Sequence, residues 1–234
     1  MDALNRESRT SVHFMVNYVL AGGPAPEQSR AVDFQKALLD NGLEFSQTNV
    51  RPRSFLLLRQ EPSNLQVKLD CPAPQVSSIQ VIANNPAYDV GMFARDALAV
   101  SDAYRQTWPA AQYQIIRAMA KISHLYSSRE HAFKYLWETR LGQSAEDFKR
   151  LGPRPVAGGG LRLMIPPHAV GGEEPRSIEL RIESFLREPR KLLVETAFTW
   201  PQPKVLAKDD AFDIPERLEA LETYATNEVW NFVS

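Results

Sequence analysis

The order of apolar and polar residues along the chain predicts strands and helices in alternation. His13-Phe14-Met15-Val16-Asn17-Tyr18-Val19-Leu20 is rich in β-branched and aromatic residues, which predicts a strand over Val12–Leu20, ended by Gly22-Gly23-Pro24. Across Ser29–Leu39 the apolar Ala31, Val32, Phe34, Leu38 and Leu39 fall near helical spacing, and Asn41-Gly42 supplies a stop. Strands over Leu43–Thr48, Ser54–Arg59, Leu65–Asp70 and Val76–Ala83 follow. Arg51-Pro52, Pro62-Ser63-Asn64 and Pro72-Ala73-Pro74 separate them, and Asn84-Asn85-Pro86 closes the run. A helix over Val90–Thr107 then carries Phe93, Ala97, Val100 and Tyr104 on one stripe.

Tyr113–Tyr126 fits two periods. As a helix it places Ile115, Met119 and Ile122 on one stripe, and its Ala and Met content favours that state. As a strand it places Ile116, Ala118, Ala120 and Ile122 on one face. Arg129–Lys149 reads as a helix with Phe133, Leu136, Trp137 and Leu141 on its buried stripe, interrupted or ended by Gly142. After the loop residues Gly152-Pro153-Arg154-Pro155 and Gly158-Gly159-Gly160 comes an alternating strand, Leu161–Ile165. Pro166-Pro167 and Gly171-Gly172 mark another loop. Ile178, Leu180 and Ile182 then alternate with Glu179, Arg181 and Glu183, a strand with one face in water. Glu188-Pro189-Arg190 turns the chain into a strand over Lys191–Trp200. A last helix opens at Pro215 behind Asp213, with Leu218, Leu221, Ala225 and Val229 as its stripe and Phe232 extending it.

With Tyr113–Tyr126 taken as a strand, both halves share one order: strand, helix, several strands, helix. The expectation is an α+β fold of two similar halves, 1–108 and 109–234, packed as one globular unit. Each would be an antiparallel sheet backed by helices in β-α-β3/4-α order.

Composition leaves that fold unchanged but narrows function. With 234 residues, 44% hydrophobic and 24% charged, the chain can bury a core unaided and lacks the bias of disordered segments. Lys and Arg number 27 against 28 Asp and Glu, a net charge of −1 that argues against nucleic acid as a partner. Cys71 is the sole cysteine, so no internal disulfide forms. The polar start Met1-Asp2-Ala3-Leu4-Asn5-Arg6-Glu7 and the lack of any long apolar window lead to an expectation of no leader, no membrane span and cytoplasmic residence.

Motifs of chemistry are sparse. The run Gly158–Gly160 leads into a strand, whereas a phosphate loop opens a helix, so a turn or bulge is the expected role. His13, His124, His131 and His168 lack the spacing that places two imidazoles on one helix face, and Cys71 has no Cys-x2-Cys partner, so no metal or other cofactor is expected. No Gly-x-Ser-x-Gly elbow is present, and no catalytic residue is assigned. Glu173-Glu174 and Asp209-Asp210 read as solvated loop charge. The densest basic cluster is Arg176, Arg181, Arg187, Arg190 and Lys191, with Arg162 on a neighbouring strand. These arginines suit an anionic partner, or cross-strand pairing with Glu179, Glu183 and Glu195. Trp200, ahead of Pro201-Gln202-Pro203, is a candidate contact residue. The binding candidates are therefore Arg162, Arg181, Arg187, Arg190, Lys191 and Trp200.

Four stretches carry a resemblance: His131-Ala132-Phe133-Lys134-Tyr135-Leu136-Trp137-Glu138, Gly158-Gly159-Gly160-Leu161-Arg162, the run Ile182-Glu183-Ser184-Phe185-Leu186-Arg187-Glu188-Pro189-Arg190-Lys191, and the closing Glu228-Val229-Trp230-Asn231-Phe232. Together they resemble a sporadically distributed family of uncharacterised bacterial proteins of similar length. The resemblance implies a bacterial source and no particular chemistry. The element order of each half is also similar, in topology only, to the β-α-β4-α unit of TATA-box-binding proteins. The leading expectation is a non-enzymatic binding or assembly module in a bacterial cytoplasm, with a protein partner or self-association. The alternatives are a small-ligand binder or enzyme with a pocket between the halves, and a nucleic-acid binder using the sheet face.

Overall fold

The computed structural model describes residues 4–22, 27–169 and 174–234. Gly23, Pro24, Gly171, Gly172 and Glu173, which figure in the expected loops, lie outside the described residues. The chain is α+β, built on one antiparallel sheet of ten strands. The strands are β1 (Leu4–Ala21), β2 (Gln47–Arg51), β3 (Ser54–Arg59), β4 (Asn64–Ala73), β5 (Val76–Asn84), β6 (Gln112–Ser128), β7 (Gly160–His168), β8 (Arg176–Ser184), β9 (Lys191–Trp200) and β10 (Lys204–Ala207). Their order across the sheet is β2-β3-β4-β5-β1-β6-β9-β8-β7, with the short β10 pairing the start of β6. Between the strands run the helices α1 (Ala31–Asp40), α2 (Val90–Thr107), α3 (Ala132–Lys134), α4 (Ala145–Phe148), α5 (Ile214–Thr226) and α6 (Glu228–Val233).

Tyr113–Tyr126 is part of a strand, β6, despite its helix-favouring alanines. Pairing on both edges outweighs propensity. β6 bonds to β1 from Leu4↔Ser128 to Ala21↔Gln114, and to β9 from Ala118↔Trp200 to Ser127↔Lys191. These two long central strands place Phe14, Val16, Tyr18, Leu20, Ala118, Ala120 and Ile122 on one face. That face meets Phe93, Ala97 and Val100 of α2, Phe34 and Leu38 of α1, and Leu218 and Leu221 of α5. A second cluster joins Leu180, Ile182, Leu192 and Val194 to Ala132, Tyr135, Val229 and Trp230. All of these side chains share one alternation of the strands, so the helices lie on one side of the sheet.

Three expectations need correction. β1 begins at Leu4, eight residues before Val12, because Leu4, Asn5 and Thr10 pair with the end of β6 on either side of an irregularity in the ladder. Leu43 ends α1 rather than opening a strand: its N–H reaches the Leu38 carbonyl at 2.8 Å after Gly42 at φ +78. The strand expected from Leu43 starts at Gln47, and the chain turns at Pro52-Arg53. The single helix expected over Arg129–Lys149 is broken. α3 widens into a π-helical turn over Tyr135–Arg140, the chain turns at Gly142, and α4 starts a new direction. The wider turn rotates the stripe, so Ala132, Tyr135 and Leu136 are buried. Phe133 and Trp137 sit half-buried and stack instead on Phe148.

The glycine run is a packing device. A Cβ on Gly160 would lie 2.3 Å from the Ile182 carbonyl oxygen, and one on Gly158 would lie 2.3 Å from Leu186. Only a chain without side chains there brings β7 against β8.

Candidate functional site

The other face of the sheet carries no helix among the described residues. Its centre is formed by His13, Met15, Asn17 and Val19 of β1 and Met119, Lys121, Ser123 and Leu125 of β6, flanked by Ser78, Gln80 and Ile82 of β5 and Leu193, Glu195 and Ala197 of β9. Apolar residues recur there although no layer covers them. Met15 is only 7% exposed, Val19 9% and Leu125 7%. Neighbouring strands shield them, which makes the centre of the face an apolar floor within a polar frame. Ser78 Oγ donates to Asn17 Oδ1 at 2.7 Å within that frame.

Four cations on this face are matched in its own plane. Lys121 lies 3.2 Å from Glu195, Arg162 2.6 Å from Glu179, and Arg181 2.6 Å from Glu183. Lys68 pairs with Asp70. At one end, over β1, β6 and β9, a cavity of about 490 Å³ opens between Val12, His13, Asn85, Lys121, Ser123, Leu125, Arg187, Leu193 and Glu195. His13 Nδ1 is 2.9 Å from Asn84 Oδ1. Burial holds the His13 pKa below its ordinary value, against the opposing hydrogen bond that the ring donates to Asn84 Oδ1.

The six binding candidates do not form one site. Arg162 and Arg181 sit opposite each other on β7 and β8, on the open face, each bound to a glutamate. Arg187 lines the cavity. Arg190 is exposed in the turn before β9, and Lys191 Nζ donates to Ser127 Oγ at 3.0 Å. Trp200 is 3% exposed, at the end of β9 on the helix side. It is a core residue because β9 alternates Leu192, Val194, Thr196, Phe198 and Trp200 inward. Arg181→Ala is expected to change stability by no more than about 1 kcal/mol, as for other exposed ion pairs. Chemical denaturation checks this.

Against Trp200 lies a charged network built on Asp213 and Arg217, four residues apart at the start of α5. Arg217 of α5 is 6% exposed, stacks over the Trp200 ring at 4.2 Å, and donates through Nε to Asp213 Oδ1 at 2.8 Å and through Nη2 to Glu174 at 2.9 Å. Tyr18 Oη and Lys204 Nζ also donate to Asp213, each at 2.8 Å. Burial would push the Asp213 carboxyl up. The hydrogen bonds from Arg217, Lys204 and Tyr18, with the Arg217 charge, overcome it and hold the group at about 2. Burial and the Asp213 charge drive the Tyr18 hydroxyl well above its ordinary value.

The Asp213 pKa is depressed on folding, so its contribution is complete above the unfolded value of 3.8 and is lost as pH falls toward about 2. That contribution is roughly 2 kcal/mol by the conversion of a pKa shift to free energy. In urea titrations from pH 5 to pH 2, the stability gap between wild type and Asp213→Asn is expected to shrink through that window.

Histidine reasoning from spacing also missed a line of side chains beside α5. His124, 2% exposed, has Nδ1 3.3 Å from Ser11 Oγ and Nε2 3.3 Å from Glu222 Oε2, and Arg9 holds the other Glu222 oxygen at 2.7 Å. The arrangement ties β1 and β6 to α5. Its serine is absent from the lining of the adjacent cavity formed by Arg6, Arg9, Tyr126, Glu222 and Thr226. Burial works to raise the Glu222 carboxyl, yet His124 and Arg9 hold it below its ordinary value.

Among the described residues, no three His, Cys, Asp or Glu side chains gather as a metal ion would require. No helix among the described residues is long and apolar enough to cross a membrane. No family model matches the chain, and no curated protein matches it.

Proposed function

We propose that this chain is a non-enzymatic binding module that holds a protein partner on the open face of its sheet. The observation that carries the proposal is the apolar floor of that face, Met15, Val19 and Leu125 set among amides, hydroxyls and methionine without a covering layer. Methionine and aliphatic side chains within a polar rim suit a protein surface. A polyanion requires unmatched positive charge, and four cations of this face, Lys68, Lys121, Arg162 and Arg181, are paired with carboxylates. That pairing counts against the nucleic-acid reading.

The same proposal takes 1–108 and 109–234 as duplicated halves. What supports it is the strand order, β2-β3-β4-β5-β1 against β7-β8-β9-β6, meeting at the β1/β6 pair. The open face then spans both halves, as in the topology of TATA-box-binding proteins, a likeness that carries no function. The family resemblance would set the partner in a bacterial cytoplasm.

The test is affinity capture from an extract of the source cells. A partner retained by wild type is expected to be lost with Met119→Arg on the open face and kept with Val32→Arg, an exposed position on α1. Equal retention by both variants would refute the proposal. The cavity at the His13 end favours a second reading, a small ligand held where the halves meet. A small molecule retained on the purified chain in native mass spectrometry, and lost with Lys121→Ala, would support that reading instead.

A further inference from the structure

The two edges of the sheet differ. β2 is short and polar, Gln47-Thr48-Asn49-Val50-Arg51, the kind of edge that resists pairing. β7 is nine residues long, and every residue from Arg162 to His168 is exposed. Leu163 is 36% exposed, Met164 60% and Ile165 40%. Among the described residues β8 is its one hydrogen-bonded neighbour. We propose that β7 pairs antiparallel with β7 of a second copy, joining two sheets edge to edge.

The register follows from the backbone. Ser184 N–H donates to the Gly159 carbonyl at 3.1 Å, so Gly159 and Ser184 are a hydrogen-bonded pair, and so in turn are Leu161 with Ile182 and Leu163 with Leu180. The N–H and C=O groups of Gly160, Arg162 and Met164 therefore point away from β8, toward open solvent. Three registers centre the pairing within the exposed run Arg162–Met164. Centring on Arg162 sets two guanidinium groups directly opposite, which is unfavourable. Centring on Met164 brings Arg162 to Pro166, which has no N–H to return a bond.

Centring on Leu163 avoids both faults at the middle of the ladder. Arg162 of each copy then lies opposite Met164 of the other, and no like charges meet. Leu163 faces Leu163, and Leu161 faces Ile165, so the apolar residues of that alternation form one continuous stripe, with Met164 on the opposite face beside Arg162. Charge separation and apolar matching select the same register, which is the argument for a second copy rather than an unrelated strand. The open-face reading does not enter this inference, and either can fail without the other.

Sedimentation equilibrium of the purified chain is expected to show a reversible rise from the monomer mass of 26.4 kDa toward twice that value with concentration. Met164→Pro removes an outward N–H at an exposed edge position and is expected to remain monomeric with an unchanged circular-dichroism spectrum. In a Cys71→Ser background, Leu163→Cys is expected to form an intermolecular disulfide under mild oxidation, because directly opposite residues of a non-hydrogen-bonded pair lie within disulfide reach. Arg162→Cys and Met164→Cys are each expected to cross-link far less. A monomer at all concentrations, a dimer undiminished by Met164→Pro, or cross-linking strongest at position 162 or 164 would overturn the proposal.

Discussion

Arg217→Ala is expected to lower the stability of the chain by about 3–5 kcal/mol, the cost of breaking a buried ion pair from one side. The substitution leaves Asp213 and Glu174 without the guanidinium that each accepts from. Asp213 keeps Tyr18 and Lys204, but Lys204 is the more exposed of its cationic partners, and the aromatic face of Trp200 loses its stacked cation. Arg217→Met separates charge from packing. It preserves the aliphatic stem yet strands the same carboxylates, so it is expected to recover only part of the loss. Urea denaturation at pH 7 reads both variants. Double substitution of Arg217 and Asp213 is expected to cost less than the sum of the single changes, since the two share one interaction.

Trp200→Ala is expected to cost a similar amount, about 3–5 kcal/mol, through the cavity left by a large buried ring. The ring packs edge-on against Phe198 at 5.7 Å between centroids and beneath Arg217. A contact residue at the rim of an interface would behave differently: its loss would weaken a partner's binding and leave the melting temperature nearly unchanged. At 3% exposure the fall in stability is the expected outcome, and calorimetry distinguishes the two.

Much of the secondary structure was legible because period and propensity agreed. Ser54–Arg59 and Val90–Thr107 coincide with β3 and α2. Where the two conflicted, tertiary pairing decided. β6 carries alanine and methionine yet lies between β1 and β9, and the fold provides it with partners on both edges. The extension of β1 over Asn5–Thr10 was invisible because its side chains are largely exposed and follow no apolar period. The break of the Arg129–Lys149 helix was partly signalled by Gly142, but the π turn ahead of it has no mark in spacing.

For the candidate site, the signal was present and went unused. Phe14-Met15-Val16 and Val19-Leu20 are apolar on both alternations of one antiparallel strand, a pattern that normally means both faces are covered. The helices cover only one. Of the Tyr18–Asp213–Arg217 network only the Asp213–Arg217 pair, four residues apart, has a local signature, whereas Tyr18 lies 195 positions from Asp213. The basic cluster read along the sequence was dispersed by the hairpin geometry, which alternates its members between the open face, the cavity and a turn.

Among the described residues, the three more exposed methionines provide the most direct measurement of the central claim, because each reports one surface: Met119 the open face, Met92 the helix layer at 43% exposure, and Met164 the β7 edge at 60%. Oxidative footprinting compares the chain alone with the complex formed by the captured partner. Protection of Met119 on complex formation, with Met92 oxidised at its free rate, is the expected result. Protection of Met92 with Met119 unchanged would contradict the account and place the partner on the helices.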